Sequence, residues 1–201
     1  MVKSYMGLIK RYLDEDTLEK TKDFFDYAMD GADRMDKLIL GVLNVSKVQR
    51  QELNRVPLNL NKTVDMVVQN LHQFIKEQDG IVHYKDLPVI NGDMFQMIQL
   101  FQNLINNGLK YNTSEQPTVW IDHEIKNNQL ELRVRDNGIG IAEEHQERVF
   151  QMFQRLQGRD FSGTGIGLST CQKIVERHHG TIHLTSKEGE GTTFVINLPL
   201  E

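Results

Sequence analysis

Apolar residues along the first fifty positions recur at helical spacing. Leu18, Phe25, Ala32, Ile39 and Ser46 stand seven apart, and Thr21, Ala28, Met35, Val42 and Gln49 fall between them at the second heptad position. Phe24, Leu38, Leu43 and Val45 widen the stripe. The spacing predicts one long amphipathic helix whose broad apolar side suits a helical bundle. A shorter helix over about Met1 to Leu13 precedes it, with Tyr5, Leu8, Ile9, Tyr12 and Leu13 on one side. Between the two, DEDT at 14–17 supplies a polar turn and an N-cap. Two helices cannot close a four-helix core, so the pattern predicts a homodimer that supplies the other pair. A coiled-coil connector is the alternative.

Pro57 ends this half, because the residue before a proline avoids helical geometry. Beyond it the periods alternate. Residues 62–77 read as helix, 81–90 as extended chain, and 93–110 as a strong helix with Met94, Met97, Ile98, Phe101, Leu104 and Ile105 in phase. Two alternating strands follow, TVWIDHEI at 118–125 and LELRVRD at 130–136, joined by the turn KNNQ. An irregular stretch leads to a helix that opens at a glycine-rich loop and ends at RHHG, and the hairpin TIHLTS and TTFVINLPL closes the chain. One sheet layer against helices, with an antiparallel meander, predicts an α+β sandwich over 58–201, after a helical hairpin over 1–57.

Four short stretches in the second half carry candidate chemistry. Asn103 and Asn107 lie four apart, so both face one side of their helix, and an asparagine carbonyl is a hard neutral oxygen able to ligate Mg2+ beside phosphates. On an amphipathic helix such a pair is more often a solvated edge or a cap. In RDNGIGI, Asp136 ends a strand ahead of Gly138 and Gly140; its carboxylate could accept from an exocyclic amine such as adenine's, or simply form an Asx turn. In FSGTGIGLST, Gly163, Gly165 and Gly167 bare the backbone where a helix starts, which suits an anion at the first free N–H groups. The spacing is neither G-x-x-x-x-G-K-[ST], because Leu168 and Ser169 replace its Gly and Lys, nor G-x-G-x-x-G, because Leu168 replaces its last glycine. In GEGTTF, Thr193 could face the same pocket, or the stretch could merely turn the chain.

Composition adds exclusions. With 39% hydrophobic and 25% charged residues and a net charge of -5, the chain shows no electrostatic footprint for nucleic acid. No run approaches a membrane span, and the N-terminus lacks the apolar core of a signal peptide. The single cysteine, Cys171, allows no intrachain disulfide and reads as a buried thiol. These features predict a cytoplasmic, reducing location.

The order Asn-x-x-x-Asn, D-x-G-x-G, G-x-G-x-G-L and G-T-T-F resembles the ATP-binding domain of sensor histidine kinases, within the wider group sharing a Bergerat-type nucleotide fold. The resemblance covers residues 58–201, including VFQMFQRL where the family carries a phenylalanine-containing lid. The stretch DYAMDGADRMDKLI resembles the dimerisation and phosphotransfer helices of the same kinases, of the phytochrome-like sort. The resemblance implies ATP and Mg2+ as cofactors. It implies Asn107 as the Mg2+ ligand, Asn103 as its neighbour on the phosphate side, Lys110 toward the phosphates and Tyr111 beside the adenine or ribose. Asp136 would bind the adenine amine, with Gly138 and Gly140 permitting close approach and Ile141 ending that motif. Gly163, Gly165, Gly167 and Leu168, with Thr164 and Ile166 between them, would form the phosphate loop and helix start. Thr193 would support the adenine through water. Phe150 and Phe153 would pack the lid, and Arg155 would be a candidate γ-phosphate contact, or else a solvated surface residue.

Relatives that hydrolyse ATP carry a glutamate four residues before the metal asparagine. That position is Asn103 here, which cannot accept a proton, so transfer to a protein side chain is expected over water attack. Gly108, where the family usually has alanine, does not bear on this choice. The family's acceptor histidine sits in H-[ED]-x-[RK]-x-P-L on the first bundle helix. The seven histidines here, at 72, 83, 123, 145, 178, 179 and 183, all lie outside 1–57. The sequence therefore reads as starting just after the acceptor, through truncation or natural loss. His178 and His179 read as a helix-end cap with dipole stabilisation. The implied function is a histidine kinase core that feeds a response regulator receiver domain, works as a homodimer and does not autophosphorylate. The alternative is a catalytically silent nucleotide-binding dimer that regulates a partner kinase.

Overall fold

The helical pattern of the first half becomes α1 (Val2–Tyr12) and α2 (Glu15–Arg50) in a computed structural model, which describes residues 2–50, 52–154 and 165–200. Asp14 starts α2 as expected. Its carboxylate accepts from the Thr17 backbone N–H at 2.8 Å and from the Thr17 hydroxyl at 2.9 Å, and these bonds hold it below the usual carboxylate range. Contacts divide the chain into residues 1–44 and 45–201, a division that falls within α2. In the first unit Ala32 is buried, whereas Tyr5, Leu8, Ile9 and Tyr12 of α1 and Phe24, Met35, Ile39 and Leu43 of α2 stay exposed.

The second unit is built on two sheets. β1 (Val56–Asn59) pairs antiparallel with β3 (Val89–Gly92), placing Leu58 opposite Ile90 with both buried. The larger sheet has the order β2-β4-β5-β7-β6, formed by Ile81–Tyr84, Thr118–Lys126, Gln129–Asp136, Gly191–Pro199 and Thr181–Lys187 respectively. Four of its strands are antiparallel as alternation predicts, but β5 pairs with β7 and not with β6, so they do not form the expected meander. β2 further corrects that reading by pairing parallel to β4, so the sheet is mixed. The extended stretch at 81–90 also splits between the two sheets. Each piece is only four residues long, too short for period alone to assign its partner.

Helices α3 (Leu60–Asn70), α5 (Met94–Lys110) and α7 (Gly167–Arg177) cover one face of the larger sheet. The helix expected over 62–77 is two, α3 and α4 (His72–Glu77), separated at Leu71. A four-residue helix, α6 (Glu143–Gln146), lies in the stretch read as irregular. Met97, Leu100, Phe101, Leu104, Ile105 and Leu109 of α5 are almost wholly buried against Val119, Leu132, Val134 and Ile196 of the sheet and Cys171 and Ile174 of α7. Truncating a side chain such as Phe101 to alanine there costs about 3–5 kcal/mol.

α5 and α7 run antiparallel, because Asn103 meets Gly167, Cys171 meets Leu100, and His178 meets Asp93. The Cys171 thiol is fully buried and pushed up to about 12, so it is an inert core group. His178 corrects the dipole reading. It is buried, its Nε2 accepts the Asp93 backbone N–H at 3.1 Å, and its Nδ1 lies 2.8 Å from the Ile174 carbonyl, which it meets as donor in the neutral tautomer. Burial, helped by Arg55 and Arg177, holds its pKa below the ordinary value, so it carries no charge to the helix dipole at neutral pH. The reversal after α7 falls to His179, at φ 59°, while a side chain at Gly180 would strike the Asn197 carbonyl at 2.3 Å.

Candidate functional site

The C-terminal half of α5, the loop after β5, α6, the N-terminus of α7 and the start of β7 enclose a cavity of about 460 Å3. It brings together Asn103, Asn107, Lys110, Tyr111, Asp136, Gly140, Ile141, Gly165, Gly167 and Leu168 from the residues singled out in the sequence. Arg155, Gly163 and Thr164 lie outside the described residues.

In its wall stands Asp136. Its Oδ1 accepts the Gly138 N–H at 2.9 Å and the Thr192 N–H at 3.1 Å. The first bond is the Asx turn, so the turn and the cavity carboxylate are one structure. Among the described residues Oδ2 accepts no hydrogen bond, which leaves it for a donor in the cavity. Burial raises the Asp136 pKa to about 6 against the pull of those two backbone bonds. A mostly buried carboxylate with one free oxygen suits a neutral N–H donor such as an aromatic amine.

Lys110 also lines the cavity and brings it a positive charge, with its ammonium 4.7 Å from the Tyr111 ring centroid and 3.4 Å from the Tyr111 hydroxyl. Gly167 and Leu168 present the first turn of α7, where Ile166 at the N-cap offers no side-chain hydrogen bond. The leading N–H groups of an eleven-residue helix, without a side-chain cap among the described residues and at the cavity wall, favour an anion. Asn103 fixes this end by donating to the Gly167 carbonyl at 3.3 Å. Asn107, one turn further along α5, lines the cavity with no side-chain hydrogen bond among the described residues. Its amide oxygen is of the hard, neutral type that a Mg2+ ion accepts beside phosphates, so the residues present fit that ion.

The glycines serve close packing of protein on protein. A side chain at Gly138 would lie 2.3 Å from the Tyr111 carbonyl, and one at Gly140, at φ +69°, would lie 2.0 Å from the Lys187 carbonyl. Gly165, at φ +68°, accepts the Phe153 N–H through its carbonyl at 2.9 Å and would place a side chain 2.6 Å from the Gln154 carbonyl. At Gly167 an added carbon would meet, among the described residues, only the Asn103 carboxamide within 4 Å. Gly138 and Ile166 are not among the cavity-lining residues; Ile166 is buried, and its carbonyl accepts the Ser169 and Thr170 hydroxyls.

Thr193 is replaced at the cavity by Thr192. Strand alternation turns Thr192 and Phe194 toward the cavity and leaves Thr193 paired across the sheet with Arg135 and Thr185. Of the two phenylalanines expected to pack a lid, Phe150 meets Phe194 edge-to-face at 6.4 Å, while Phe153 sits at φ 67° and is half exposed. Sequence reasoning missed Asn106, Glu144, His145, Gln154 and Glu188 in the lining. The period of β7 could have found Thr192, but no pattern marks the others.

Residues 92–201 match the family described as histidine kinase-, DNA gyrase B- and HSP90-like ATPases. The phytochrome-like protein Cph1 of Synechocystis sp. (strain ATCC 27184 / PCC 6803 / Kazusa) is 38% identical over 200 residues, covering 99% of this chain and 27% of that protein. The chain thus spans about a quarter of that relative's length. The nucleotide-free catalytic domain of the histidine kinase ThkA is 26% identical with a TM-score of 0.61, over 75% of this chain and 97% of that one. ThkA in complex with the response regulator TrrA aligns over 100% of this chain and 57% of that one with a TM-score of 0.73; at 20% identity it speaks to the fold. The chain therefore belongs to the histidine kinase-, DNA gyrase B- and HSP90-like ATPase family, with sensor histidine kinases among its relatives.

Proposed function

We propose that the chain is the ATP-binding catalytic core of a two-component sensor histidine kinase. The observation that carries this reading is one cavity that holds the Asp136 oxygen left without a partner among the described residues together with Lys110 and the first turn of α7, two features that favour an anion. Adenine binds against Asp136, and the triphosphate runs past Asn103 and Asn107 toward Lys110 and Leu168. Asn107 holds Mg2+, which supplies charge neutralisation at the phosphates. A histidine imidazole then attacks the γ-phosphorus, the bond to the bridging oxygen breaks, and ADP leaves. Asn103, lacking a basic oxygen, gives water no general base on this helix, which favours transfer to protein over hydrolysis.

Residues 1–57 form the dimerisation and phosphotransfer hairpin, and 58–201 the catalytic domain. The exposed apolar side chains of α1 and α2 support a homodimer through these helices. A receiver domain accepts the phosphoryl group on an aspartate, by analogy with the ThkA complex. The protein works in the cytoplasm. None of the seven histidines lies in 1–57, so this hairpin supplies no acceptor imidazole of its own. Arg155 and Lys110 are candidate phosphate contacts.

The same histidine distribution favours a second reading, a silent nucleotide-binding dimer that regulates a partner kinase. Labelled ATP, offered with a helix fragment that carries the acceptor motif, separates the two. Label on the fragment supports the kinase; tight nucleotide binding with no label supports the regulator; no nucleotide binding sinks both.

A further inference from the structure

Asn137 follows Asp136 directly, yet it is not among the residues lining the cavity. Its carboxamide is saturated. Oδ1 accepts the Thr118 N–H at 2.8 Å and the Asn112 side-chain amide at 2.8 Å, while Nδ2 donates to the Ser114 hydroxyl at 3.1 Å and to the Gln116 carbonyl at 3.0 Å. The partners fix the orientation, because a flipped amide would oppose donor to donor at Thr118 and acceptor to acceptor at Gln116. Asn112 in turn donates to the Gly108 carbonyl at 3.2 Å, in the last turns of α5, and accepts from Ser114 through both its N–H and its hydroxyl. Two residues on, the Ile139 N–H donates to the Tyr111 carbonyl at 3.0 Å.

These bonds strap 137–139 onto 108–118, the stretch that ends α5 and enters β4. Asp136 sits at the edge of the strap, its Oδ1 held by Gly138 and its Oδ2 free. Lys110 and Tyr111 belong to the other side of the same strap. We propose that Asn137 is a positioning residue for base recognition. By tying the loop after β5 to the end of α5, it fixes the free oxygen of Asp136 at the height where a purine 6-amine arrives when the phosphates are seated at the first turn of α7. A donor–acceptor match at one atom depends on placement within a few tenths of an ångström. Asparagine is the side chain that serves here, because two donors and two acceptors on one planar amide meet four partners. The inference rests on the nucleotide reading above, and the test keeps the two apart.

The experiment measures the affinity of the full chain, with Mg2+, for ATP and for inosine triphosphate, which carries a carbonyl in place of the 6-amine. The wild type prefers ATP by roughly tenfold or more, as loss of a hydrogen bond to a charged group requires. In Asn137→Ala the preference falls to about threefold or less, while affinity for inosine triphosphate changes by less than about twofold. Ser114→Ala removes one of the four partners and gives an intermediate preference; should Asn137→Ala fail to fold, this variant and Asn112→Ala carry the test. Equal losses for both nucleotides, or an intact preference in folded variants, would overturn the positioning role and leave the nucleotide reading standing. A wild type that binds neither nucleotide, or both alike, would overturn the two together.

Discussion

Replacing Asp136 by asparagine is expected to stabilise the nucleotide-free protein while it weakens ATP binding. Burial lifts the carboxyl from 3.8 to about 6, so ionising it in the folded state is disfavoured by about 2 pKa units, or about 3 kcal/mol. A group raised in this way contributes stability that is complete below the unfolded value of 3.8 and is lost as pH rises through about 6. Near neutral pH the wild type therefore bears a charge that it would be more stable without. Asparagine keeps a carbonyl oxygen for the Gly138 and Thr192 N–H groups, though a neutral acceptor binds them less strongly than a carboxylate. The net expectation is a gain of about 1–3 kcal/mol near neutral pH, which raises Tm by roughly 3–8 °C for a unit of this size. Below pH 3.8 the wild-type carboxyl is protonated and the gain disappears. Thermal or denaturant unfolding across this range, without nucleotide, measures it. Calorimetry with ATP should show at least a tenfold loss of affinity in the same variant. A variant less stable than wild type near neutral pH, or a difference that ignores pH, would refute the reasoning, because the backbone hydrogen bonds would then outweigh burial.

Three further outcomes follow from the same geometry. Lys110→Ala should lower ATP affinity roughly tenfold and flatten its salt dependence, while adenosine binding stays within about twofold, as competition titrations would show. Gly165→Ala should cost about 1–3 kcal/mol in denaturant unfolding, since its backbone stands at φ +68° and the added carbon would meet the Gln154 carbonyl at 2.6 Å. His178, with Arg55, Arg177 and Asp93 as its charged neighbours, should make stability fall as pH drops below its ordinary 6.5 toward its lower folded value; His178→Ala should remove that slope and cost stability at every pH.

Much of the fold was legible because long amphipathic segments dominate it. α5 repeats its apolar positions over seventeen residues, and β4, β5 and β7 alternate cleanly enough to fix which side chains face the helices. What the pattern missed is short or decided by distant partners. β1 contains Pro57, a poor strand signal, and is held by pairing with β3. β2 finds its neighbour through a parallel crossover that a four-residue run cannot announce.

At the site, Asn103, Asn107 and Asp136 stand out because residue type and spacing match a chemistry, whereas Lys110 enters through the family resemblance alone. The GTTF motif singles out Thr193, whereas the pleat of β7 turns Thr192 to the cavity. Gly138 and Gly140 were legible as special positions, but not their reason: they accommodate the Tyr111 and Lys187 carbonyls. Asn137 carried no signal beyond a turn-forming DNG, since its four partners lie nineteen or more residues away or on other loops.

The most direct test is a crystal structure of the chain with Mg2+ and a non-hydrolysable ATP analogue. It should show the 6-amine hydrogen-bonded to Asp136 Oδ2, the metal on Asn107, and the terminal phosphates against Lys110 and the first turn of α7. A nucleotide bound in the reverse sense, or held away from Asp136, would contradict the account.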